Sequence, residues 1–520
     1  MKTRYTRWTC LLMALCLLMG LVLGCSGSAA QSATEPEQTA ESATTALSTE
    51  AVQSTATDEQ AKDGTPVGNP PEGTPPEGMG QPPAGERPEG TPPGGMGQPP
   101  AGGPGGGPGG PGGSSADIDY SGAVEITSAD SQTDQTYSTD TVDQSALLIA
   151  TSEAVNIANP TVTKSGSSNG GDSCNFYGLN AAILVKDGAN VTITGGTISS
   201  DASGANGIFC YGGNGGRNGA AGDGTTVTVR DTVITTTGSG SGGIMTTGGG
   251  VTYAYDLTVT TSGQSSAPIR TARGGGTVYV DGGTYTSNGL GSPTIYSTAE
   301  IHVTNASLTS NLSEGVCIEG KNSIELTDCD LTANNTKCNS NASFFDTIMI
   351  YQSMSGDADS GTSSFTMTGG TLTSKNGHVF HVTNTNAIIN LNGVTVVNED
   401  GEGVLLSVCD DGWSGAGNVA TLNAKGQTLE GLLLVGSNAT LTLNLTDGSA
   451  FIGTVSGAIT NAKGATVSTE VGTVNVTLDG TSTWTLTGDT YVTSFTGNAS
   501  RVITNGYTLY VNGIAMTGTK

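Results

Sequence analysis

An eight-residue pattern, in which apolar and polar residues alternate before a two-residue turn, recurs through most of the chain. The closest copies begin 23 or 24 residues apart, and the wider intervals contain inserts. A period of this length predicts a solenoid, because an insert can leave one corner of a coil without disturbing the next coil. The clear copies are VNIANPTV, VTITGGTI, VTVRDTVI, VTYAYDLT, VYVDGGTY, IHVTNASL, IELTDCDL, FTMTGGTL and INLNGVTV, which begin at residues 155, 191, 227, 251, 278, 301, 324, 365 and 389.

The alternation has a period of two residues, which indicates β-strands rather than helices. Each strand is too short to be stable alone, and no Asn-Gly or Asp-Gly hairpin links consecutive copies at close range. Parallel pairing with the same strand one coil later is the remaining solution. Weaker copies occur near residues 420, 443 and 476. We therefore predict an all-β fold, a right-handed single-stranded parallel β-helix of about twelve coils and roughly 55 Å in length.

Stacked copies predict columns of equivalent side chains along the axis of the coil. We expect Val191, Val227, Val251 and Val278 to form one inward-facing column. The outward column beside it is then expected to contain Thr192, Thr228, Thr252, Tyr279, His302 and Glu325.

Residues 1–24 are typical of a bacterial lipoprotein signal peptide. Lys2, Arg4 and Arg7 precede an apolar stretch that is too short for a stable membrane span, and Cys25 lies where cleavage should fall. We predict that Cys25 is the lipid acceptor. An ordinary secretory signal with an incidental cysteine is the alternative.

Residues 25–115 follow as a linker that is rich first in Ser, Thr and Glu and then in Pro and Gly. Such sequence cannot bury enough apolar surface to offset its ordering entropy, so we expect a disordered tether. The β-helix domain is expected over residues 116–520. This organisation predicts a lipid-anchored protein on the extracellular face of a bacterial plasma membrane, exposed at or beyond the cell wall.

The chain is strongly acidic, with 45 Asp and Glu residues against 18 Lys and Arg residues. Negative charge of this size repels nucleic acid and anionic lipid headgroups, and we therefore expect no nucleic-acid partner; the expected membrane contact is through the lipid anchor. The carboxylates could hold Ca²⁺ outside the cell, although the sequence identifies no particular metal site.

Two cysteines have equivalent positions in the repeat. Cys174 lies 17 residues before Val191, and Cys210 lies 17 residues before Val227. Stacked coils would place the two cysteines one above the other, within reach of a disulfide in an oxidising compartment. A stack of buried free thiols is the alternative.

Several segments of the β-helix region carry a family resemblance. They are GLNAAILV (178–185), SGANGIF (203–209), RGGGTVYVDGGTY (273–285), GSPTIYSTAEI (291–301), IEGKNSIEL (318–326) and TSTWTLTGDTYVTS (481–494). They resemble the adhesin-like β-helix surface lipoproteins of Gram-positive gut bacteria. A more distant resemblance, to clostridial carbohydrate-binding and pectate-lyase-like β-helix proteins, implies sugar binding by analogy of fold alone.

A lyase acting on acidic polysaccharide would need carboxylates to hold Ca²⁺ and an Arg or Lys to abstract a proton. Asp256, Arg270, Arg273 and Asp281 fall in neighbouring coils and are the best candidates. Their alternative role is structural, because Asp is favoured in turns and the two arginines flank a Gly-rich corner.

Five tyrosines fall within three coils and could form an aromatic platform for a sugar, or could be core and ladder packing. They are Tyr253, Tyr255, Tyr279, Tyr285 and Tyr296. His378 and His381 are three residues apart on a predicted strand, so we expect them on opposite faces.

Three functions remain open from the sequence. The first is a non-catalytic surface protein that binds a glycan, a host surface or a neighbouring cell. The second is a lyase-like or other carbohydrate-active enzyme, and the third is a structural spacer of the cell envelope.

Overall fold

The computed structural model describes residues 118–215 and 221–517. Every described residue belongs to one compact unit. The predicted signal peptide, Cys25 and the predicted linker lie outside the described residues. Within the described ranges, no helix is both long and apolar enough to cross a membrane.

The described residues form a parallel β-helix with three long sheets, as the repeat predicted. Consecutive strands belong to different sheets, and each strand pairs in parallel with the equivalent strand one coil later. Sheet A has 15 strands: β1 Ser121–Ile126, β4 Gln144–Ala150, β7 Ile183–Lys186, β10 Ile208–Tyr211, β13 Ile244–Thr247, β16 Ile269–Thr271, β19 Ile295–Ser297, β22 Val316–Glu319, β25 Asp346–Tyr351, β28 His378–Thr383, β31 Val404–Val408, β33 Thr428–Val435, β35 Ala450–Ser456, β39 Thr483–Leu486 and β42 Val502–Ile503.

The first, alternating half of each of the twelve sequence copies forms a strand of sheet B. Sheet B gains one strand at each end that the pattern did not show, which makes 14 strands in all. They are β2 Asp130–Thr133, β5 Ala154–Ala158, β8 Asn190–Thr194, β11 Thr226–Arg230, β14 Gly250–Tyr255, β17 Gly276–Asp281, β20 Glu300–Thr304, β23 Ser323–Thr327, β26 Thr362–Thr368, β29 Thr385–Asn392, β32 Asn418–Lys425, β34 Ala439–Thr446, β38 Thr473–Leu478 and β41 Ser494–Thr496.

Sheet C closes each coil over most of the helix with ten strands. They are β3 Thr136–Thr139, β6 Thr161–Lys164, β9 Thr197–Ser200, β12 Val233–Thr236, β15 Thr258–Thr261, β18 Thr284–Ser287, β21 Ser307–Ser310, β24 Asp330–Asn334, β27 Thr371–Asn376 and β30 Thr395–Asn398. The smaller elements are the helix α1 Asp172–Tyr177, the antiparallel pair β36 Ile459–Thr460 and β37 Thr466–Ser468, the terminal group β40 Thr490–Val492, β43 Leu509–Val511 and β44 Ile514–Ala515, and a 3-10 turn at Ala499–Arg501.

The corner between sheets B and C is built alike in successive coils. At least one residue at this corner has a positive φ, which Gly adopts freely and which Asn and Asp tolerate better than other residues. Asp231 and Asp256 have φ values of 51° and 50°, and Gly282 in the next coil has a φ of 77°. The turn residues in each sequence copy therefore serve the geometry of this corner.

The predicted inward column is wrong by one residue in a single coil. Val227 pairs with Thr252, not with Val251, and Thr252 pairs in turn with Val278. Thr252 is tolerated inside because its hydroxyl and that of Thr246 are hydrogen-bonded at 2.7 Å. The position of the corner residue sets the pairing register of the strands. Val227, Thr252 and Val278 each lie four residues before the positive-φ residue of their own coil.

The interior of the coil is one continuous apolar cluster from Ile126 in the first coil to Leu509 near the last. Successive coils contribute one side chain each to every inward column, and a fully buried aliphatic or aromatic side chain contributes about 1.5–3 kcal/mol. In sheet B the inward column is Val155, Val191, Val227, Thr252, Val278, Ile301, Ile324, Phe365, Ile389, Leu422, Leu443 and Val476.

Candidate ligand-binding surfaces

The outward-facing column of sheet A is largely covered by inserts. At the N-terminal end, α1 packs Phe176 and Tyr177 against the outer side chains Leu184 and Phe209. Further along, inserts after β24, β25 and β31 cover the same side of the sheet. The outward column is Leu148, Leu184, Phe209, Met245, Arg270, Tyr296, Cys317, Met349, His381 and Ser407.

Glu319 is the centre of a polar and aromatic cluster on this outer side. The hydroxyl of Tyr296 donates to Glu319 Oε2 at 2.5 Å, and the hydroxyl of Tyr351 donates to the same oxygen at 3.0 Å. The hydroxyls of Ser353 and Ser355 donate to the other oxygen. Burial raises the pKa of both tyrosines well above the ordinary value, and the neighbouring Glu319 carboxylate raises it further.

Arg270 lies beside this cluster and is partly exposed. Its guanidinium lies 5.9 Å from the ring centre of Tyr296, and Nη1 donates to the carbonyl of Ser265 at 3.3 Å. Among the described carboxylates none forms an ion pair with Arg270. Burial lowers the pKa of Arg270, but a guanidinium stays charged in proteins. The cluster therefore offers one positive group that is not neutralised by a direct contact.

Two further contacts shape the rim of the cluster. Arg273 Nη2 donates to Asp357 Oδ1 at 2.5 Å, and its guanidinium lies 4.2 Å from the ring centre of Phe176, so the insert after β25 is joined to α1. Burial opposes the charge of Arg273, but the hydrogen bond and charge of Asp357 raise its pKa overall. The partly exposed ring of Trp413, from the insert after β31, packs 4.9 Å from Tyr351.

Sheet B carries a second aromatic surface, on its outer face. Tyr253 and Tyr279 stack with ring centres 5.2 Å apart and planes within 10°, and His302 continues the stack at 5.0 Å. The two ring nitrogens of His302 contact Glu300 at 2.9 Å and Glu325 at 3.1 Å. Each ring in this ladder covers the face of the next one, so mainly ring edges and hydroxyls face the solvent.

The four residues predicted for a lyase-like site do not share one groove. Asp256 is the positive-φ corner residue described above, and Asp281 ends β17 and accepts from Asn305 at 3.1 Å. Arg270 and Arg273 instead lie on the sheet A side, where their partners are those of the Glu319 cluster and its rim. The two aspartates and the two arginines are close in sequence but lie apart on the helix, because the strands of one coil lie on different sides of it.

The five predicted tyrosines lie in three different parts of the β-helix: two outer surfaces and the core. Tyr253, Tyr255 and Tyr279 share the outer face of sheet B, where Arg230 lies 3.6 Å from the ring centre of Tyr255. Tyr285 is fully buried in the core, between Val259 and Leu308. Tyr296 belongs to the Glu319 cluster. Glu319, Tyr351 and Trp413 were not predicted, because inserts outside the repeat bring them together.

Cys174 and Cys210 are both free and buried, and they do not stack. Cys210 faces the core in β10 and pairs with Val185, whereas Cys174 lies in α1 with its thiol 3.3 Å from the hydroxyl of Ser168. The equal spacing to the repeat failed because the earlier coil leaves the strand path to form α1. Burial raises the pKa of both thiols, to about 12 for Cys210.

His378 and His381 converge instead of lying on opposite faces. Their Nδ1 atoms contact the hydroxyl of Ser407 at 2.7 and 2.8 Å. His381 Nε2 lies 3.4 Å from Asp411, and both of these side chains are fully buried. Because solvent does not reach them, these groups support the insert after β31 and offer no exposed base.

A small hollow occurs in the part of the chain that the structure describes. The hollow beside Cys409 and Ser437 encloses about 180 Å³, open solvent included, against roughly 300–1,000 Å³ for ligand pockets. No group of three or more His, Cys, Asp and Glu side chains in these residues is arranged to hold a metal ion.

Comparison with known proteins adds no relative: no family model, no curated protein and no solved structure matches the chain. Two surfaces of the described residues are candidates for binding a ligand: the Glu319 cluster on sheet A and the aromatic ladder on sheet B. They differ in whether ring faces and a charged group remain accessible to a ligand.

Proposed function

We propose that the β-helix binds a glycan without catalysing its conversion, as an adhesin-like protein of the cell surface. One observation carries the proposal: Arg270 lies without an ion-pair partner among the described residues, 5.9 Å from the ring centre of Tyr296, whose hydroxyl shares Glu319 with that of Tyr351. Aromatic rings offer apolar faces to the C–H groups of a sugar, and a few polar groups fix its orientation.

The sheet A surface suits a sugar better than the sheet B ladder. Rings within the ladder of Tyr253 and Tyr279 cover one another, so a sugar would meet edges. On sheet A, Trp413 and Tyr351 are tilted by 53° and both stay partly exposed, and Arg270 provides hydrogen-bond donors next to Tyr296 of the same cluster. The carboxylate of Glu319 is already held by four hydroxyl donors, which preorganises the tyrosines around it.

Binding of the full chain to a glycan array, followed by affinity measurements on the glycans retained, tests this proposal. Trp413→Ala and Arg270→Lys are each expected to weaken binding at least tenfold, or about 1.4 kcal/mol, because each removes a group that contacts the ligand. Tyr279→Ala is the matched control on sheet B and is expected to leave affinity unchanged.

Two results would contradict the proposal. Equal affinities for the wild type and both sheet A variants would place the ligand elsewhere, and an array with no retained glycan would favour an envelope spacer. Appearance of unsaturated sugar ends absorbing in the ultraviolet, when the protein is incubated with polygalacturonate and Ca²⁺, would establish a lyase instead.

The proposal includes attachment to the cell by lipid at Cys25, with residues 25–115 as the spacer that presents the β-helix. The lipobox-like sequence before Cys25 and the Pro- and Gly-rich composition of the linker support it. Substitution of Cys25 by Ser is expected to move the protein from the membrane fraction to the medium. Retention of the variant in the membrane fraction would contradict lipid anchoring.

A further inference from the structure

The two ends of the β-helix leave core-facing side chains uncovered. Val124 in β1 belongs to the inward column of Leu147 and Ile183, yet 37% of its surface is exposed, because β1 is the first strand of sheet A among the described residues. At the other end, Ile514 in β44 pairs directly with Val511, whose side chain packs against the core. Directly paired side chains share one face of a sheet, so Ile514 faces the same way, and it is 72% exposed.

Exposed apolar residues are concentrated at these ends. Nine large apolar side chains of the described residues are exposed, and six lie in residues 121–143 or 490–517, at the two ends of the described β-helix. Isolated exposed apolar residues need no explanation, but a concentration at two surfaces does. The six are Val124, Val142, Tyr491, Ile503, Tyr507 and Ile514.

The strands at the two ends also have an open edge. β1, β2 and β3 are first in their sheets, β42 and β41 are last in sheets A and B, and sheet C ends earlier, at β30. A terminal strand presents backbone N–H and C=O groups that can pair with another chain. Because every strand of the three long sheets pairs in parallel, the end of one copy can continue into the beginning of another in the same direction.

The charges of the two ends are complementary. Residues 118–143 contain six Asp and Glu residues and no Lys or Arg, whereas residues 490–517 contain Arg501 and no Asp or Glu. Contact between two first coils would bring like charges together, and contact between unlike ends avoids this repulsion.

Residues 118–120, which lead into the first coil, do not cover its end surface. Tyr120 donates from its hydroxyl to the carbonyl of Tyr177 at 3.0 Å, and Lys186 Nζ lies 4.9 Å from its ring centre. Ile118 packs with Tyr120 against the apolar cluster outside sheet A. These contacts belong to later coils, so residues 118–120 run along the flank of the helix and do not cross its end.

We propose that copies of this chain associate head to tail, with the terminal strands of one copy stacked on the first coil of the next. The interface is heterologous, so it joins unlike surfaces and can extend beyond a dimer. It is independent of the glycan-binding proposal, because it uses the ends of the helix and leaves sheet A free.

Sedimentation velocity of the full chain over a range of concentrations tests the association. The wild type is expected to form concentration-dependent oligomers, and Ile514→Asp to weaken association at least about tenfold by removing apolar burial and adding an acid opposite the acidic end. Ile514→Lys is expected to weaken it less. Val233→Asp, which changes an exposed apolar residue on the flank, is the matched control and is expected to associate like the wild type.

A mixing experiment tests the polarity of the contact. Ile514→Asp retains a competent first coil, and Val124→Asp retains a competent last coil, so each variant alone is expected to be monomeric and their mixture to form 1:1 dimers only. A monomeric wild type at all concentrations, equal association of Ile514→Asp and the Val233→Asp control, or a mixture without dimers would each overturn the proposal. Circular dichroism of every variant establishes that it is folded.

Discussion

Phe365→Ala is expected to lower the free energy of unfolding of the β-helix by about 3–5 kcal/mol, the usual cost of truncating a buried aromatic side chain. Phe365 is fully buried in the inward column of sheet B, between Ile324 and Ile389. Its ring also packs edge-on against Phe380 of sheet A, at 5.8 Å between ring centres. The truncation therefore opens a cavity that the two neighbouring coils can fill only by shifting their backbones.

Urea unfolding followed by circular dichroism measures this loss, with Thr366→Ala as the control. Thr366 is the next residue of β26 and faces outward, where it accepts one hydrogen bond from Asn390 at 3.0 Å. Its truncation is expected to change stability by about 0.5 kcal/mol or less. Coils interact mainly with their neighbours, so amide exchange should accelerate in β23, β26 and β29 first. Equal effects of the two substitutions would contradict the inward assignment of Phe365.

The fold was predictable because its main determinant is local and repeated. Alternating residues within each copy specify the inward face, and the common period specifies parallel stacking. The single error, at Val251, came from aligning the first apolar residue of each copy instead of the corner residue. Alignment on Asp231, Asp256 and Gly282 would have placed Thr252 in the inward column.

The candidate site was much less predictable, because residues outside the repeat assemble it. Arg273 and Asp357 are 84 residues apart, and the insert that holds Asp357 has no copy in other coils. Trp413 reaches Tyr351 from another such insert. Periodicity places a strand residue on a face, but it contains no information about which insert covers that face. The Arg and Tyr positions were therefore identifiable as candidates, and their partners were not.

Two buried carboxyl groups, Asp346 at the start of β25 and Glu314 just before β22, make the stability of the β-helix depend on pH. Burial raises the pKa of Asp346 well above its usual range, and the charges of Glu314 and Asp411 raise it further. Burial likewise raises the pKa of Glu314. His378 pairs with Asp346 in sheet A, and its pKa is shifted in the opposite direction. Burial and the charge of His381 lower the pKa of His378 to about 3. Asp411 differs from the other acids, because hydrogen bonds and charge from His381 lower its pKa despite burial.

Asp346→Asn is expected to stabilise the protein at neutral pH by about 1–3 kcal/mol, because the amide cannot ionise and so removes the cost of burying a carboxylate beside other acids. Asp346 is 1% exposed, and its Oδ1 has no hydrogen-bond partner among the described residues. A raised native pKa means that the folded state holds the proton more tightly than the unfolded chain. Its stabilising effect is therefore complete below the unfolded pKa of about 3.9 and is lost as the pH rises toward the native value.

The comparison of Asp346→Asn with the wild type isolates this group from His378 and Asp411, whose contributions both proteins share. Urea unfolding midpoints of the two proteins should nearly coincide at pH 4 and diverge progressively toward pH 8, with the variant more stable. Asp256→Asn is the matched control, because Asp256 is exposed and Asn also tolerates its φ of 50°. A constant difference across the pH range, or divergence in the control as well, would show that the proton on Asp346 does not control stability.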